Sequence, residues 1–313
     1  MSTGQVGTGQ VAEFTALRPL LFSVAYRMLG TASDVDDVLQ EAWLRYDTAT
    51  GVRDPKPYLV QVVTRLCLDL LSSARVRRER YVGPWLPEPV LTGASAAGAG
   101  PTGPRPGLDP FAELERRELL SLGALTMLEQ LSPAERAVLV LREGLGYSHA
   151  DVAAAVGISE PSSRQLLARA RRRLSGGPAR RDADPAEHRR LLDALLAAFS
   201  AGDTEALVAL LRADVTVLSD GGGEAKAALR PVVGAAKVIR LLTALWPTMP
   251  EGAEVARVEV NGLPGMVAYL DGQPLYVLSL DVLDGRVDRL LIVTAPSKLR
   301  FVRPPGGGDP SGP

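Results

Sequence analysis

The chain has 313 residues, 46% of them hydrophobic, which is too long for one small domain and enough to bury sizeable cores. A net charge of −1 argues against a generic nucleic-acid binder, but the balance is uneven: residues 1–181 hold 22 Lys and Arg against 19 Asp and Glu, and residues 182–313 hold 13 against 17. One cysteine (Cys67) excludes an intrachain disulfide, no apolar run reaches the roughly 20 residues that span a bilayer, and the N-terminus lacks a signal-peptide pattern, so a cytoplasmic protein with a buried thiol is expected.

Residues 11–80 are predicted to form consecutive helices. FTALRPLLFSVAYRMLG ends at Gly30, a natural helix stop, and Ser33 is placed to cap the following SDVDDVLQEAWLRYDTA. In that second helix Asp34, Asp37 and Glu41 stand at i, i+3 and i+7 on one face, with Asp36 and Gln40 nearby and Val35, Val38, Leu39 and Ala42 opposite. Such a stripe is either a solvated surface or a docking face for a basic partner. After GVRDPKP, a long helix from Pro57 runs through YLVQVVTRLCLDLLSSARVRRER. Its periodicity turns Leu59, Val62, Val63, Leu66 and Leu70 inward, and Thr64, Arg65, Asp69, Arg75, Arg77 and Arg78 outward. The basic end suits phosphate contact, and equally suits cations at the negative end of a helix.

YVGPWLPEPV follows, then TGASAAGAGPTGPRPG, which has nothing to bury and reads as a flexible linker. Pro87 and Pro89 favour an extended backbone, and Trp85 is the expected buried anchor. Helices at about Phe111–Leu131 and Pro133–Glu143 lead into the second half of AERAVLVLREGLGYSHADVAAAVGISEPSSRQLLARARRRL, residues 134–174. There Ser148 caps one helix with Asp151 in its first turn, Gly157 makes the turn, Ser159 caps the next helix and Pro161 fits its first turn. This is a helix-turn-helix pattern. From Arg164 to Arg181 there are seven Arg and no acidic residue. A helix of this kind in a major groove reads base edges near its start and grips phosphates with its Arg-rich end.

The remainder changes character. Residues 185–213 read as one or two amphipathic helices around Gly202-Asp203, VTVLS as a strand entering the turn Asp220-Gly221-Gly222-Gly223, and residues 235–245 as a helix. VARVEV, MVAYL, PLYVLSLDVLDG and RVDRLLIVT are β-rich, with turn residues between them, which predicts an α+β domain with a meandering antiparallel sheet. No nucleophile–base pair or metal-ligand cluster stands out, and Asp220 and Asp271 read first as turn residues. An enzymatic alternative for this half requires a polar pocket open to solvent. An apolar, filled interior excludes it.

DVDDVLQEAWLR, then PYLVQVVTRLCLDLLSSARVRRER, a linker, and a helix-turn-helix ending in ARARRRL together resemble bacterial sigma-70-type factors of the extracytoplasmic-function group over residues 11–174. GDTEALVALLRADVTVLSDGGG resembles the opening of SnoaL-like domains, a cone of helices wrapped by a curved sheet. With the WLPEP motif of Trp85 to Pro89, it is similar to the SigJ-like subgroup, which carries such a domain after region four. The resemblance implies a multidomain chain: two all-α helical domains, region two (11–80) and region four (111–175), joined by a linker (81–110), then an α+β SnoaL-like cone (185–303). It implies promoter recognition and transcription initiation, modulated in cis by the cone, with no enzymatic activity, cofactor, metal or membrane. The implied partners are core RNA polymerase, through its β′ clamp and β subunit, and promoter DNA.

By the same resemblance Asp34, Asp37, Gln40 and Glu41 meet the polymerase. Arg65, Arg75, Arg77 and Arg78 meet the −10 element, where Tyr46 and Tyr58 are either stacking faces or core. Ser162, Ser163, Arg164, Gln165, Arg169, Arg171 and Arg172 meet the −35 element. Trp85, Leu86, Pro87, Glu88 and Pro89, with Asp220, Gly221, Gly222, Gly223 and Lys226, form regulatory contacts of the cone with the linker and region two. Two departures stand out. Glu224 and Ala225 intervene before Lys226, where the subgroup has Lys directly, and Ala295-Pro296-Ser297-Lys298-Leu299 replaces Asn-Pro-Asp-Lys-Leu.

Overall fold

The computed structural model describes residues 4–78, 81–92, 121–174 and 184–304, which divide into two compact units. In the first, α1 (Gly4–Leu29), α2 (Ala32–Thr48) and α3 (Pro55–Arg78) form a three-helix block. Gly30 ends α1 in the left-handed region at φ 72°, where a side chain would be strained. The N-cap position of α2 is Thr31, not Ser33: Thr31 is extended, its carbonyl accepts from Val35 N, and its hydroxyl donates to Asp34 at 2.6 Å. Thr64, expected outside, is buried because its hydroxyl satisfies itself on the Val60 carbonyl at 2.7 Å. Tyr46 is core rather than a stacking face, and its hydroxyl donates to Glu13 at 2.5 Å. Burial and that carboxylate push its phenol up to about 12. Cys67 is buried, and desolvation raises its thiol well above the ordinary range.

The helix-turn-helix lies in the same unit. α4 (Leu122–Leu128) is followed by α5 (Pro133–Leu139), which opens on a Ser132–Glu135 capping box and runs into a π turn at Val140–Gly144. α6 (His149–Val156) opens on a Ser148–Asp151 box and stops at Gly157, φ 81°, and α7 (Glu160–Leu174) follows with Ser162 N donating to the Ser159 hydroxyl. These caps and the turn are where local sequence placed them.

The second unit is a seven-stranded sheet with helices packed against both of its faces. Its elements are β1 (Leu91–Thr92), the start of α4, α8 (Pro185–Ala201), α9 (Thr204–Leu210), β2 (Leu211–Asp220), β3 (Val232–Val233), α10 (Ala235–Leu245), β4 (Glu254–Val260), β5 (Leu263–Leu270), β6 (Gln273–Leu283), β7 (Arg286–Val293) and α11 (Pro296–Leu299). Strand order is β1-β4-β5-β6-β7-β2-β3. β4 to β7 form the antiparallel meander, and Asn261, Asp271 and Asp284 take φ of 53°, 51° and 53° ahead of Gly262, Gly272 and Gly285 in tight hairpin turns. β2 departs from the expected pattern and lies parallel to β7, pairing Asp220 with Val293. The two strands are far apart in sequence and no hairpin dictates their direction.

Leu191, Leu195 and Phe199 of α8, Val238 of α10, and Val217 and Leu290 of the sheet belong to one buried cluster between helices and sheet. Burying each such side chain contributes about 1.5–3 kcal/mol. This cluster between helices and sheet is apolar. A shallow depression between α8 and α9 is lined by alanines and Asp203, whose carboxylate is already engaged by Ala206 N at 2.9 Å. A second cluster includes Leu86, Leu91, Leu122, Val260, Leu291 and Leu299, so segments outside the cone's own sequence supply part of its core.

Candidate nucleic-acid interface and linker-docking site

On α2, Asp37 and Gln40 are exposed and Glu41 is half-buried beside Arg45, to which it pairs at 2.8 Å. Asp34 is half-buried and accepts the Thr31 hydroxyl, so it serves the start of the helix. The same face continues to Leu44, 53% exposed, an apolar neighbour that a charge-based reading passes over. Asp36 pairs with Arg18 across two exposed side chains.

Arg65 is exposed on α3, while Arg75, Arg77 and Arg78 occupy its C-terminal turns with side chains outside the described residues. On α7, Gln165, Arg164, Arg169, Arg171 and Arg172 are exposed and Ser162 is half-buried. Arg164 pairs with Glu160 at 2.6 Å and Arg171 with Glu143 at 2.7 Å, contacts of little worth in water and easily exchanged for phosphate. Ser163 is fully buried, with its hydroxyl 2.9 Å from His149 Nδ1. It pins α7 to α6 and does not face a groove, which corrects its assignment to the −35 set.

The linker forms a site of its own. Because β2 runs parallel to β7, the end of β2 meets the chain leaving β7, and the Asp220 carbonyl accepts from Thr294 N and Ala295 N. The Asp220 side chain is fully buried. One carboxylate oxygen accepts from the Tyr81 hydroxyl at 2.7 Å and Gly222 N at 3.0 Å, and the other from Leu86 N at 2.6 Å and Lys298 Nζ at 2.7 Å. Lys298 also donates to the Leu86 carbonyl at 2.5 Å and lies 4.7 and 4.2 Å from the ring centres of Tyr81 and Trp85. A buried ion pair is tolerable when its remaining valences are satisfied, as here. Burial and then Asp220 raise the Tyr81 phenol far above its ordinary value, so the neutral, donating form is the one that folds.

Several expectations change accordingly. Residues 81–92 are built into the domain and are no free linker; residues 93–110 lie outside the described residues. The buried anchor is Leu86, whereas Trp85 is half-buried over the ammonium. Pro87, Glu88 and Pro89 are buried. Val90 exchanges two hydrogen bonds with Asn261, and Leu91–Thr92 adds a strand to β4, with the Thr92 hydroxyl donating to Glu259 at 2.7 Å. Lys226 is exposed, and the cation at the site is Lys298. Gly222 and Gly223 need positive φ, 59° and 77°, and a β-carbon on Gly221 would overlap the Ala225 carbonyl. The two departures from the subgroup pattern meet: Glu224 accepts from Ser297 N at 3.1 Å and from its hydroxyl at 2.7 Å. Tyr81, Asn261 and Lys298 were missed; Lys298 lay in a quoted motif, but its partner could not be read without the parallel strand pair.

The start of α4 docks on the same outer face. Leu122 is fully buried there, and the next residue, Gly123, abuts Asp281, which is held by Arg289 at 2.6 Å. Replacing glycine by alanine inside a helix ordinarily stabilises by about 0.5–1 kcal/mol. Here the new β-carbon would fall closer to the Asp281 carboxylate than real β-carbons approach anything, and that carboxylate is pinned. Gly123→Ala is therefore expected to destabilise this docking by about 1–3 kcal/mol, read as faster amide exchange over residues 122–126. Slower exchange would mean that helix propensity wins.

Residues 14–77 match the family model "Sigma-70 region 2" and residues 122–174 match "Sigma-70, region 4". The chain is 40% identical over 302 residues to the ECF RNA polymerase sigma factor SigJ of Mycobacterium tuberculosis (strain ATCC 25618 / H37Rv), covering 92% of this chain and 93% of that one. It is 31% identical over 299 residues to the "Probable ECF RNA polymerase sigma factor SigI" of Mycobacterium tuberculosis (strain CDC 1551 / Oshkosh), covering 95% and 97%. The crystal structure of Mycobacterium tuberculosis extracytoplasmic function sigma factor SigJ superposes with a TM-score of 0.72 at 36% identity, covering 93% of this chain and 98% of that chain. The chain belongs to the extracytoplasmic-function RNA polymerase sigma factors, non-enzymatic proteins that bind core RNA polymerase and promoter DNA to begin transcription, and it carries a SnoaL-like cone after region four.

Proposed function

We propose that this sigma factor is modulated in cis by its SnoaL-like domain, which holds the connection between the two promoter-reading blocks. The observation that carries this reading is the buried Asp220–Lys298 pair gripping Tyr81 and Leu86. Leu86 and Leu122, on either side of residues 93–120, both enter the core of one sheet. Holding both ends removes conformational freedom that would otherwise be lost when the blocks engage a promoter, so docking favours initiation. The domain extents follow: region two at 11–80, region four at 111–175 and the cone at 185–303, with residues 81–92 packed as part of the cone.

Within this reading the α2 face of Asp37, Gln40 and Glu41 docks on the β′ clamp, with Leu44 as an apolar contact beside it. α3 works at the −10 element through Arg65 and its basic end, and α7 at the −35 element. The work is done where core RNA polymerase is, in the cytoplasm. Among the described residues no helix is long and apolar enough to cross a membrane. Arg164→Ala and Gln165→Ala are each expected to cost about 1–3 kcal/mol of −35 binding and to relax discrimination there, whereas Arg172→Ala weakens all sequences alike and reduces the salt slope by about 1. Binding titrations at several salt concentrations check this, and undiminished −35 discrimination in the first two variants would contradict it.

A further inference from the structure

We infer that the cone carries a DNA-contacting face of its own: Arg230, Lys237 and Arg240 hold phosphates of the duplex between the −10 and −35 elements, without reading its sequence. Residues 182–313 hold 17 acidic side chains against 13 basic ones. Four of the 13, Lys226, Arg230, Lys237 and Arg240, fall within residues 225–250, a stretch with no Asp or Glu. All four are exposed, and among the described residues none of them pairs with a carboxylate. Elsewhere in the domain Arg190, Arg212, Arg257, Arg289 and Lys298 each have a carboxylate partner. A surface that only has to stay soluble intersperses both signs, whereas a single-sign patch on an otherwise acidic domain attracts a polyanion.

The local fold gathers three of these cations at one end of the sheet. β3 is the terminal strand and pairs only with β2, Thr216 opposite Val233 and Val217 opposite Val232. Arg230 and Pro231 lead directly into it. Gly234, at φ 100°, turns the chain from β3 into α10, and its carbonyl accepts from Lys237 N and Val238 N, both at 3.0 Å. Because α10 buries Val238 and Ile239, the exposed side of the helix carries Ala236, Lys237, Arg240 and Ala244. Cations and proline beside an open strand edge also discourage stray strand pairing, and that accounts for Arg230 and Pro231. It does not account for Lys237 and Arg240, which stand on the helix between alanines that leave them unobstructed.

Charge and reach together select the occupant. α3 ends at Arg78 and the packed segment of the cone begins at Tyr81, while α7 ends at Leu174 and Asp184 caps α8. Fully extended, these two stretches span at most about 10 and 35 Å. The cone is therefore tethered closely to the −10 block on one side and to the −35 block on the other, and the polyanion within its reach is the duplex between the two elements. This step rests on the proposed assignment of α3 and α7 to those elements. Residues 225–250 also lack Asn and Gln, side chains that read base edges, which leaves charge as the means of contact.

The test combines full-length Arg230→Gln/Lys237→Gln/Arg240→Gln with core RNA polymerase and titrates the complex onto promoter DNA at several salt concentrations. Each phosphate contact contributes about 0.9 to the slope of log affinity against log salt, so a slope shallower by about 2–3 is expected, with affinity at about 0.1 M salt reduced tenfold or more. A hydroxyl-radical footprint should lose protection between the two elements and keep it at both of them. The charge-conserving Arg230→Lys/Lys237→Arg/Arg240→Lys should retain slope and protection alike. All three side chains are exposed, so the melting temperatures of both variants should match the parent. An unchanged slope and footprint in the glutamine variant overturns the inference. So does weakened binding to core polymerase in the absence of DNA, which would make this a protein-docking face. Loss of protection at the −10 and −35 elements in the variant overturns it as well, by placing the effect in the promoter-reading blocks. Absence of protection there with the unaltered chain would overturn the assignment of α3 and α7, and the inference with it.

Discussion

Replacing Asp220 by alanine is expected to destabilise the C-terminal domain by about 3–5 kcal/mol, because the Lys298 ammonium stays buried without its counter-charge. The Tyr81 hydroxyl and Leu86 N–H lose their acceptor in the same step. The effect should appear as faster amide exchange across residues 81–92, centred on Leu86, before the rest of the domain responds. Lys298→Met alone leaves the carboxylate buried and should also be costly. The Asp220→Ala/Lys298→Met pair removes both charges together and should cost less than the sum of the single changes, with a coupling of about 0.5–3 kcal/mol. Unchanged exchange at Leu86 in Asp220→Ala would show that the apolar contacts of Leu86 and Leu91 hold the segment without the ion pair.

Reversing charge at Asp37→Lys and Glu41→Lys is expected to weaken core polymerase binding about a hundredfold, since like charges brought together at an interface cost several kcal/mol. The fold should be unaffected. Asp37 is exposed, and the Glu41–Arg45 pair, with side chains 45% and 49% exposed, contributes at most about 1 kcal/mol. Binding to core polymerase by fluorescence anisotropy, beside a circular dichroism melt, separates the two effects. Retained affinity with an intact fold would move the docking face away from α2. Lost affinity with a lowered melting temperature would show a structural role for these carboxylates.

The features legible in the sequence were those decided within a few residues. Ser148, Asp151, Gly157 and Ser159 act through local hydrogen bonds and a local φ, so the helix-turn-helix was placed without knowing its neighbours. The acidic face of α2 followed from periodicity, and the antiparallel meander from β-rich stretches with turn residues between them. What failed was decided at long range. Ser163 has the position of a groove-facing residue in α7, but His149 from the preceding helix claims its hydroxyl. Pro87 and Pro89 correctly implied an extended segment, yet whether it is free or buried depends on Asp220 and Asn261, more than 130 residues away. Trp85 was the expected buried anchor, but it lies beside the Lys298 ammonium and the fully buried place belongs to Leu86.

Transcription with purified core RNA polymerase tests the central claim most directly, on a template carrying the promoter upstream of this protein's own coding sequence. Three reactions suffice: no added factor, the full-length chain, and full-length Asp220→Ala/Lys298→Met, in which neither buried charge is left alone. The account predicts a defined start site only when a factor is added, and the same start at about threefold lower yield or less with the double variant, because the linker is no longer held. Absence of a defined start with the full-length chain would contradict initiation at that promoter, and equal yields from both proteins would contradict modulation through the docked linker.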